Sequence, residues 1–321
     1  MKRHSRKILN LLFVILMLHM GSFIDSAWAQ PFSTLKLDPD RVPWTDLLFE
    51  GKNFFVGVII EVQLASFPAT PLEASLLTSP QGIPVKTGGP TINRVTVNTT
   101  IDPLFGSTVT LRNQVWFDPK TAGALQRIRL RRGQDDFEKT CRFTMEGVYR
   151  LRKEPAGKKE FSLAPEQWTD VKESFYPYDL DQTGCVSASE SSIIPYILAA
   201  GRLSQDSGAM NLCAFHKKLL HYVQIVPDGL QQLQVDYTER LQETEVHKEA
   251  LVDVLKISLH ARPLNTLVDE DEAFSFLGLM GDIELYMDIH SRVPVRISGE
   301  IPTFGRADFW LKEVKLRQKA D

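Results

Sequence analysis

The densest set of oxygen ligands in this chain runs from Asp179 to Glu190. Asp179, Asp181 and Thr183 fall at positions one, three and five of a twelve-residue calcium loop, with Gly184 at six, Val186 at eight and Glu190 at twelve. Oxygens at those spacings wrap a hard divalent cation, and the glycine permits the sharp turn between them. Phe175 and Tyr178 stand where the aromatics of an entering helix would. Against a calcium site, Thr183 replaces the usual carboxylate or amide, Pro177 breaks the entering helix and Pro195 falls inside the exiting one. A surface turn leading into a helix cap accounts for the same residues, because Ser187 and Glu190 have capping-box spacing.

A second chemistry is anion recognition. Arg127, Arg129 and Arg131 alternate with period two, and Arg142, Arg150 and Arg152 sit on the two strands expected next. Three adjacent strands could thus present guanidinium groups on one face, where the planar fork grips phosphate or carboxylate oxygens bidentately. In an envelope compartment the polyanions within reach are lipid headgroups and wall polymers. The competing reading is a solvated outer face balanced by Asp135, Asp136, Glu138 and Glu146.

No nucleophile system is legible. His216, His221, His247, His260 and His290 lack paired i, i+4 spacing or a fixed cysteine partner, which also argues against zinc. Only the fold could bring a serine and a histidine together. The acidic run Asp269-Glu270-Asp271-Glu272 reads as a solvated loop, with a paired-carboxylate hydrolase site as the lesser alternative. Gly88-Gly89 and Gly278 lack the strand-to-helix context of a phosphate loop, and no cofactor motif is present.

The elements that must position these residues are strands. From Leu47 onward apolar residues alternate with period two, as on sheets with one buried face. Val109, Leu111, Val115 and Phe117 share one strand face. Ile283, Leu285 and Met287 face Val293, Val295 and Ile297 across a turn at Ser291-Arg292. A second hairpin is expected from Leu219–Val226 to Leu230–Tyr237, turning at Pro227-Asp228-Gly229. Further strands are expected near Phe49–Leu64, Leu125–Arg132, Phe137–Phe143, Val148–Lys153, Leu251–His260, Ala273–Leu277 and Arg306–Leu316. Ser66–Gly106, rich in Pro, Thr and Gly, reads as a long loop with at most a short strand at Val95–Val97. One helix is expected near 192–202, with Ser192 as N-cap, Pro195 in the first turn and Gly201 as its end.

The head of the chain sets its compartment. Lys2, Arg3, Arg6 and Lys7 precede an apolar run from Ile8 to Leu18, and Ala27-Trp28-Ala29 offers small residues where a signal peptidase cuts. The run is too short to span a bilayer, and no later one is long enough. The expectation is a periplasmic or secreted protein without a transmembrane segment in its mature part. Of 37 Lys and Arg the leader holds four, and of 40 Asp and Glu it holds one, leaving 33 against 39 and a mature charge of −6. That balance, with export, disfavours nucleic acid as a partner. Cys185 and Cys213 flank the helix and are the pair to bridge in an oxidising compartment, while Cys141 belongs to an apolar strand face. Three inert buried thiols are the alternative.

Together these readings give a mainly β chain. A large curved antiparallel sheet forms an open or half-closed barrel with one short helix, after a cleaved signal peptide. The expected organisation is a signal peptide at 1–29, an extended segment at 30–45 and a single β domain at 46–318, with its long loop at 66–106.

The strand Gly147–Pro155, the Phe175-Tyr176-Pro177 triplet, Phe276-Leu277-Gly278-Leu279 and the stretch Arg292-Val293-Pro294-Val295-Arg296-Ile297-Ser298-Gly299 carry a resemblance. In their order the chain is similar to bacterial exported proteins of the domain-of-unknown-function family 3108. The resemblance implies an exported β-rich domain like the curved sheets of envelope lipid carriers, and no catalytic residue.

The function expected from sequence is therefore non-enzymatic: a lipid or other apolar or amphipathic envelope ligand held by the curved sheet. Val109, Leu111, Val115, Phe117, Leu255, Ile257, Leu285 and Phe309 are the candidate lining, and plain core is the competing assignment. An assembly factor docking an envelope protein, and a hydrolase of envelope polymers, are the alternatives.

Overall fold

The structure is a computed structural model that describes residues 35–52, 56–178, 185, 187–264, 273–302 and 304–318. The expected signal peptide at 1–29, the ligand candidates Asp179, Asp181 and Thr183, and the acidic run 269–272 lie outside the described residues.

Fourteen strands make one sheet. They are β1 (Trp44–Lys52), β2 (Val56–Pro68), β3 (Thr91–Pro103), β4 (Val109–Phe117), β5 (Ala124–Arg132), β6 (Phe137–Phe143) and β7 (Gly147–Glu154). There follow β8 (Asp170–Pro177), β9 (Met210–His216), β10 (Leu219–Leu241), β11 (Thr244–Pro263), β12 (Met280–Asp288), β13 (Pro294–Ile301) and β14 (Gly305–Leu316). Their order is β8-β7-β6-β5-β4-β3-β2-β1-β14-β13-β12-β11-β10-β9. Neighbours in that order are antiparallel. Thr238–Arg240 of β10 also run parallel to Glu313–Lys315 of β14, so β10 to β14 close into a ring. β8 and β9 remain the ends of the sheet, which makes the barrel half-closed rather than regular.

Two turns of like design mark one end of the sheet. Asp118 accepts from the backbone amides of Lys120 (2.9 Å) and Thr121 (3.1 Å), and Ala122 follows with φ 58°. Asp288 accepts from those of His290 (2.8 Å) and Ser291 (3.0 Å), and Arg292 follows with φ 57°. In each turn a carboxylate replaces the strand ladder for amides that would otherwise be orphaned. The seven-residue helix α2 (Ile194–Ala200) lies across this end with every side chain buried; a shorter helix, α1 (Ala69–Glu73), sits outside the sheet. The Tyr196 hydroxyl donates to the carbonyl of Pro119 at 2.6 Å. Arg292 donates to the carbonyls of Leu198 (3.0 Å), Ala199 (2.8 Å) and Gly201. A buried helix C-terminus needs such donors, and the cation also suits its dipole. The helix plugs one end. The β3–β4, β5–β6, β7–β8 and β13–β14 connections lie at the opposite end, because antiparallel strands alternate direction.

Several sequence expectations are corrected. Leu219–Leu241 is one continuous strand, and Pro227-Asp228-Gly229 is a bulge in it. Asp228 is skipped in the register, and pairing resumes at Gly229, with φ +127°, opposite Lys256. Turn-forming residues end a strand only if the partner strand also stops, and β11 does not. The stretch 66–106 is a loop only in part: residues 69–90 leave the sheet through a short helix, but β2 runs to Pro68 and the thirteen-residue β3 lies deep in the sheet. Its Thr96 and Thr99 are buried, and threonine is a good strand former whose polarity hid the pattern. Ala273–Leu277 is not a strand and makes only an isolated bridge, Phe276 to Leu279. β8 and β9 had no sequence prediction. The helix begins at Ile194 rather than 192. Glu190, not Ser192, caps the 3-10 turn before it, accepting from the Ser192 amide at 2.7 Å.

The large core fills the concave face, with Trp44, Phe49, Phe117 and Tyr196 among its fully buried side chains. A smaller cluster of Ile92, Trp116 and Leu125 lies on the outer face beneath Ala69 and Leu76. No helix among the described residues is long and apolar enough to cross a membrane.

Candidate functional site

Register decides where the arginines go. Arg127 stands opposite Cys141, which stands opposite Arg150; Arg129 stands opposite Lys139, which stands opposite Arg152; Arg131 stands opposite Phe137. On the other side Arg127 faces Val115, Arg129 faces Asn113 and Arg131 faces Leu111. Val115 and Cys141 belong to the main core, so this is the concave face of the sheet. The solvated outer face weighed from sequence is therefore overturned for these five arginines. Arg142 leaves the group. It stands opposite Gln126 on the outer face and donates to the carbonyls of Leu125 and Val85. Lys139 joins it, at the middle of the three-strand cluster.

The cluster is under-neutralised. Arg127, 5 % exposed, pairs with Glu190 at 3.5 Å and donates to Cys141 Sγ at 3.3 Å; Arg152 pairs with Glu154. Among the described residues no carboxylate lies within 4 Å of Arg129, Arg131, Lys139 or Arg150. Aromatic faces take up part of the charge instead: Lys139 lies 4.0 Å from the Phe137 ring and Arg150 lies 4.7 Å from that of Tyr176. The Nε groups of Arg127, Arg131, Arg150 and Arg152 are buried without a hydrogen-bond partner. Burial, reinforced by Arg152, Arg129, Arg150 and Arg127, pushes Lys139 down to about 7. Burial and the neighbouring Arg127 likewise lower Arg129.

That depression is a stability statement. Between about 7 and the ordinary lysine value of 10.5 the unfolded chain binds the proton that the folded one has lost, so this group's stabilisation grows with pH across that window. It is complete above the unfolded value and lost as pH falls through about 7. Lys139→Gln is expected to stabilise the protein at pH 6 by about 1–2 kcal/mol, discounted for partial solvent screening. Paired urea melts at pH 6 and pH 10 check it, since the gain should vanish at the higher pH.

A partly open cavity of about 90 Å³ lies at one end of the cluster, and Arg129 is the member of the cluster that lines it. Arg129, Asn113, Glu190, Ser192 and His216 give it a polar wall, and Val58, Val97, Ile101, Leu111 and Phe309 an apolar one. Gly51 lets Phe309 lie flat, because a Cβ there would overlap the ring. Ser275 Oγ and His216 Nε2 meet in the cavity at 3.5 Å. Burial, helped by Arg127 and His221, holds His216 down to about 3. A base that weak removes little of a serine proton at neutral pH, and no carboxylate orients the ring among the described residues.

Of the apolar lining expected from sequence, Leu111 and Phe309 reach this cavity. Val115, Phe117, Leu255, Ile257 and Leu285 are closed core, and Val109 is half-buried outside the cavity. Of the calcium-ligand candidates only Glu190 is among the described residues, and its buried carboxylate pairs with Arg127 and accepts from the Ser192 amide. Among the described residues no cluster of three potential metal ligands exists. Cys185 and Cys213 are disulfide-bonded, their Cα atoms 6.0 Å apart, and Cys141 is buried and free. A wider groove of about 760 Å³ along β1, β2, β3 and β14 carries charges of both signs, with Arg306 paired to Glu284 and Asp308 to Arg296.

No protein-family description and no curated protein matches the chain. Among solved structures, the crystal structure of a β-barrel-like protein of domain of unknown function DUF1849 from Brucella abortus is similar. Its TM-score is 0.41 at 7 % identity, covering 88 % of this chain and 100 % of that one. That likeness is to a β-rich domain of unknown function, and it does not extend to family 3108.

Proposed function

We propose that this protein is a non-enzymatic periplasmic binder of an anionic amphipathic envelope ligand. Arg129, Arg131, Lys139, Arg150 and Arg152 hold the anionic group, and the apolar wall of Val58, Val97, Ile101 and Leu111 receives the adjoining carbon. The observation that carries this reading is the set of half-buried cations on the concave face, four of them without a carboxylate partner among the described residues. Desolvated like charges destabilise a fold unless a ligand offsets them. The cavity at Arg129 is small, about 90 Å³, and partly open, so the reading narrows from a chain buried within the sheet to an anionic headgroup with its adjoining carbon. Membership of family 3108 and export through residues 1–29 remain part of the proposal, on sequence alone.

Dodecyl phosphate tests this reading by titration calorimetry. It should bind the protein and bind Arg129→Gln/Arg152→Gln at least tenfold more weakly, whereas dodecanol should not bind. Equal binding of dodecanol, or no loss in the variant, would sink the idea. The assembly-factor reading keeps one support: Leu104 and Phe105, 57 % and 85 % exposed, form an apolar tip at the end away from the helix. A stoichiometric envelope protein cross-linking at that tip would favour it instead.

A further inference from the structure

The number and spacing of the concave cations say more than that the ligand is an anion. Arg129, Lys139 and Arg152 form one row across β5, β6 and β7, with Arg150 one step to one side of it on β7 and Arg131 one step to the other side on β5, so that Lys139 stands between them. Adjacent strands set backbone positions about 5 Å apart across a row, and successive same-face residues lie about 7 Å apart along a strand. The cations thus form a two-dimensional grid, whereas a single carboxylate is a point. Glu190 and Glu154 answer Arg127 and Arg152. Among the described residues, Arg129, Arg131, Arg150 and Lys139 have no carboxylate within 4 Å. One carboxylate would leave at least two of the three guanidinium charges unmatched on a half-buried face, with Lys139, held down to about 7, adding a part charge. A phosphoryl monoester brings about −1.5 to −2 at neutral pH, so two phosphoryl groups balance the grid.

We infer that the ligand carries two neighbouring phosphoryl groups, as a diphosphate or a bis-phosphorylated headgroup, bridged across β5, β6 and β7 by Arg129, Lys139, Arg150 and Arg131. Guanidinium groups on different strands grip separate phosphoryl groups through bidentate forks, and Lys139 between them serves as a point charge shared by both. The buried Nε donors of Arg131 and Arg150 point to the same chemistry, since each guanidinium has donors left over for an acceptor-rich ligand. This inference rests on the anion-binding reading above and narrows it. The two fail separately, because a monoanion that binds as well as a dianionic pair would retain the reading and end the inference.

The test compares four probes by calorimetry at pH 7: orthophosphate, pyrophosphate, farnesyl phosphate and farnesyl diphosphate. Each diphosphate is expected to bind at least tenfold more tightly than its monophosphate. Farnesyl diphosphate exceeding pyrophosphate would identify a lipid source, and equal affinities a soluble one; both support the two-group site. Lys139→Gln should shrink the diphosphate preference to under about threefold, while Arg306→Gln on the outer face leaves it unchanged. Thermal melts show whether each variant is folded. Equal affinities for mono- and diphosphates, or a preference that survives Lys139→Gln, would overturn the inference. Binding of none of the four would overturn the inference as well.

Discussion

Replacing Glu190 by glutamine is expected to cost about 3–5 kcal/mol, because it leaves the buried Arg127 charge uncompensated while its shape stays the same. Both side chains are about 5 % exposed, so water cannot re-solvate the guanidinium. The neighbours make matters worse: Arg129 and Arg150 add positive charge, and the remaining described partner is the Cys141 sulfur at 3.3 Å. The amide of the variant can still accept from the Ser192 N–H, so loss of the helix-entry cap is not the cause. A loss of this size lowers the melting temperature by on the order of 10 °C in a chain of this length. The pair itself is not a large net stabiliser, since both ions must be dehydrated. Arg127→Met/Glu190→Gln should therefore recover most of the loss. Chemical denaturation of the wild type, the single variant and the double variant decides the matter. A single variant within 1 kcal/mol of wild type would show that water or another anion reaches Arg127.

Removing the disulfide is the second large effect. Cys185 and Cys213 lie 28 residues apart in sequence, and the segment they enclose contains the plugging helix and leads into the edge strand β9. Chain-entropy arguments give about 3–4 kcal/mol for a loop of that length. The clasp also acts where hydrogen bonds are few. Near the gap between the sheet ends, Ser189 donates to Cys213 at 2.7 Å, Phe215 donates to Ser189 at 2.9 Å and Ala124 donates to Ala188 at 2.9 Å. Cys185→Ser/Cys213→Ser should therefore unfold at lower denaturant, and dithiothreitol should bring the wild type to the same midpoint without moving that of the variant. Cys141, buried and free, should stay unlabelled by a thiol reagent until the protein unfolds. If reduction shifts the midpoint by less than the equivalent of 1 kcal/mol, the hydrogen bonds alone hold the gap.

Much of the design is local and therefore legible in the residues. Period-two alternation declares a sheet wherever one face is buried, so β4 to β7 and β14 stand within a residue of their expected places, while β12 starts three residues earlier and β13 ends four residues later than expected. The Asp118 and Asp288 turns act within five residues, and the period-two arginines put Arg127, Arg129 and Arg131 on one face because strand geometry allows nothing else. Where polarity masked the alternation, as in β3, or where a Pro-Asp-Gly step imitated a reversal, as in β10, local pattern misled. The outcome there belonged to the neighbouring strand.

The sequence by itself determined that the chain is a large antiparallel sheet and that its arginines form a row. The tertiary structure alone decided that the row faces inward. Alternation distinguishes two faces without saying which is concave, since curvature arises from twist and closure over fourteen strands. Register was equally non-local: it placed Lys139 between Arg129 and Arg152, turned Arg142 to the outside, and brought Glu190 beneath Arg127 from 63 residues away. The site is a property of pairings between strands, and no single strand encodes them.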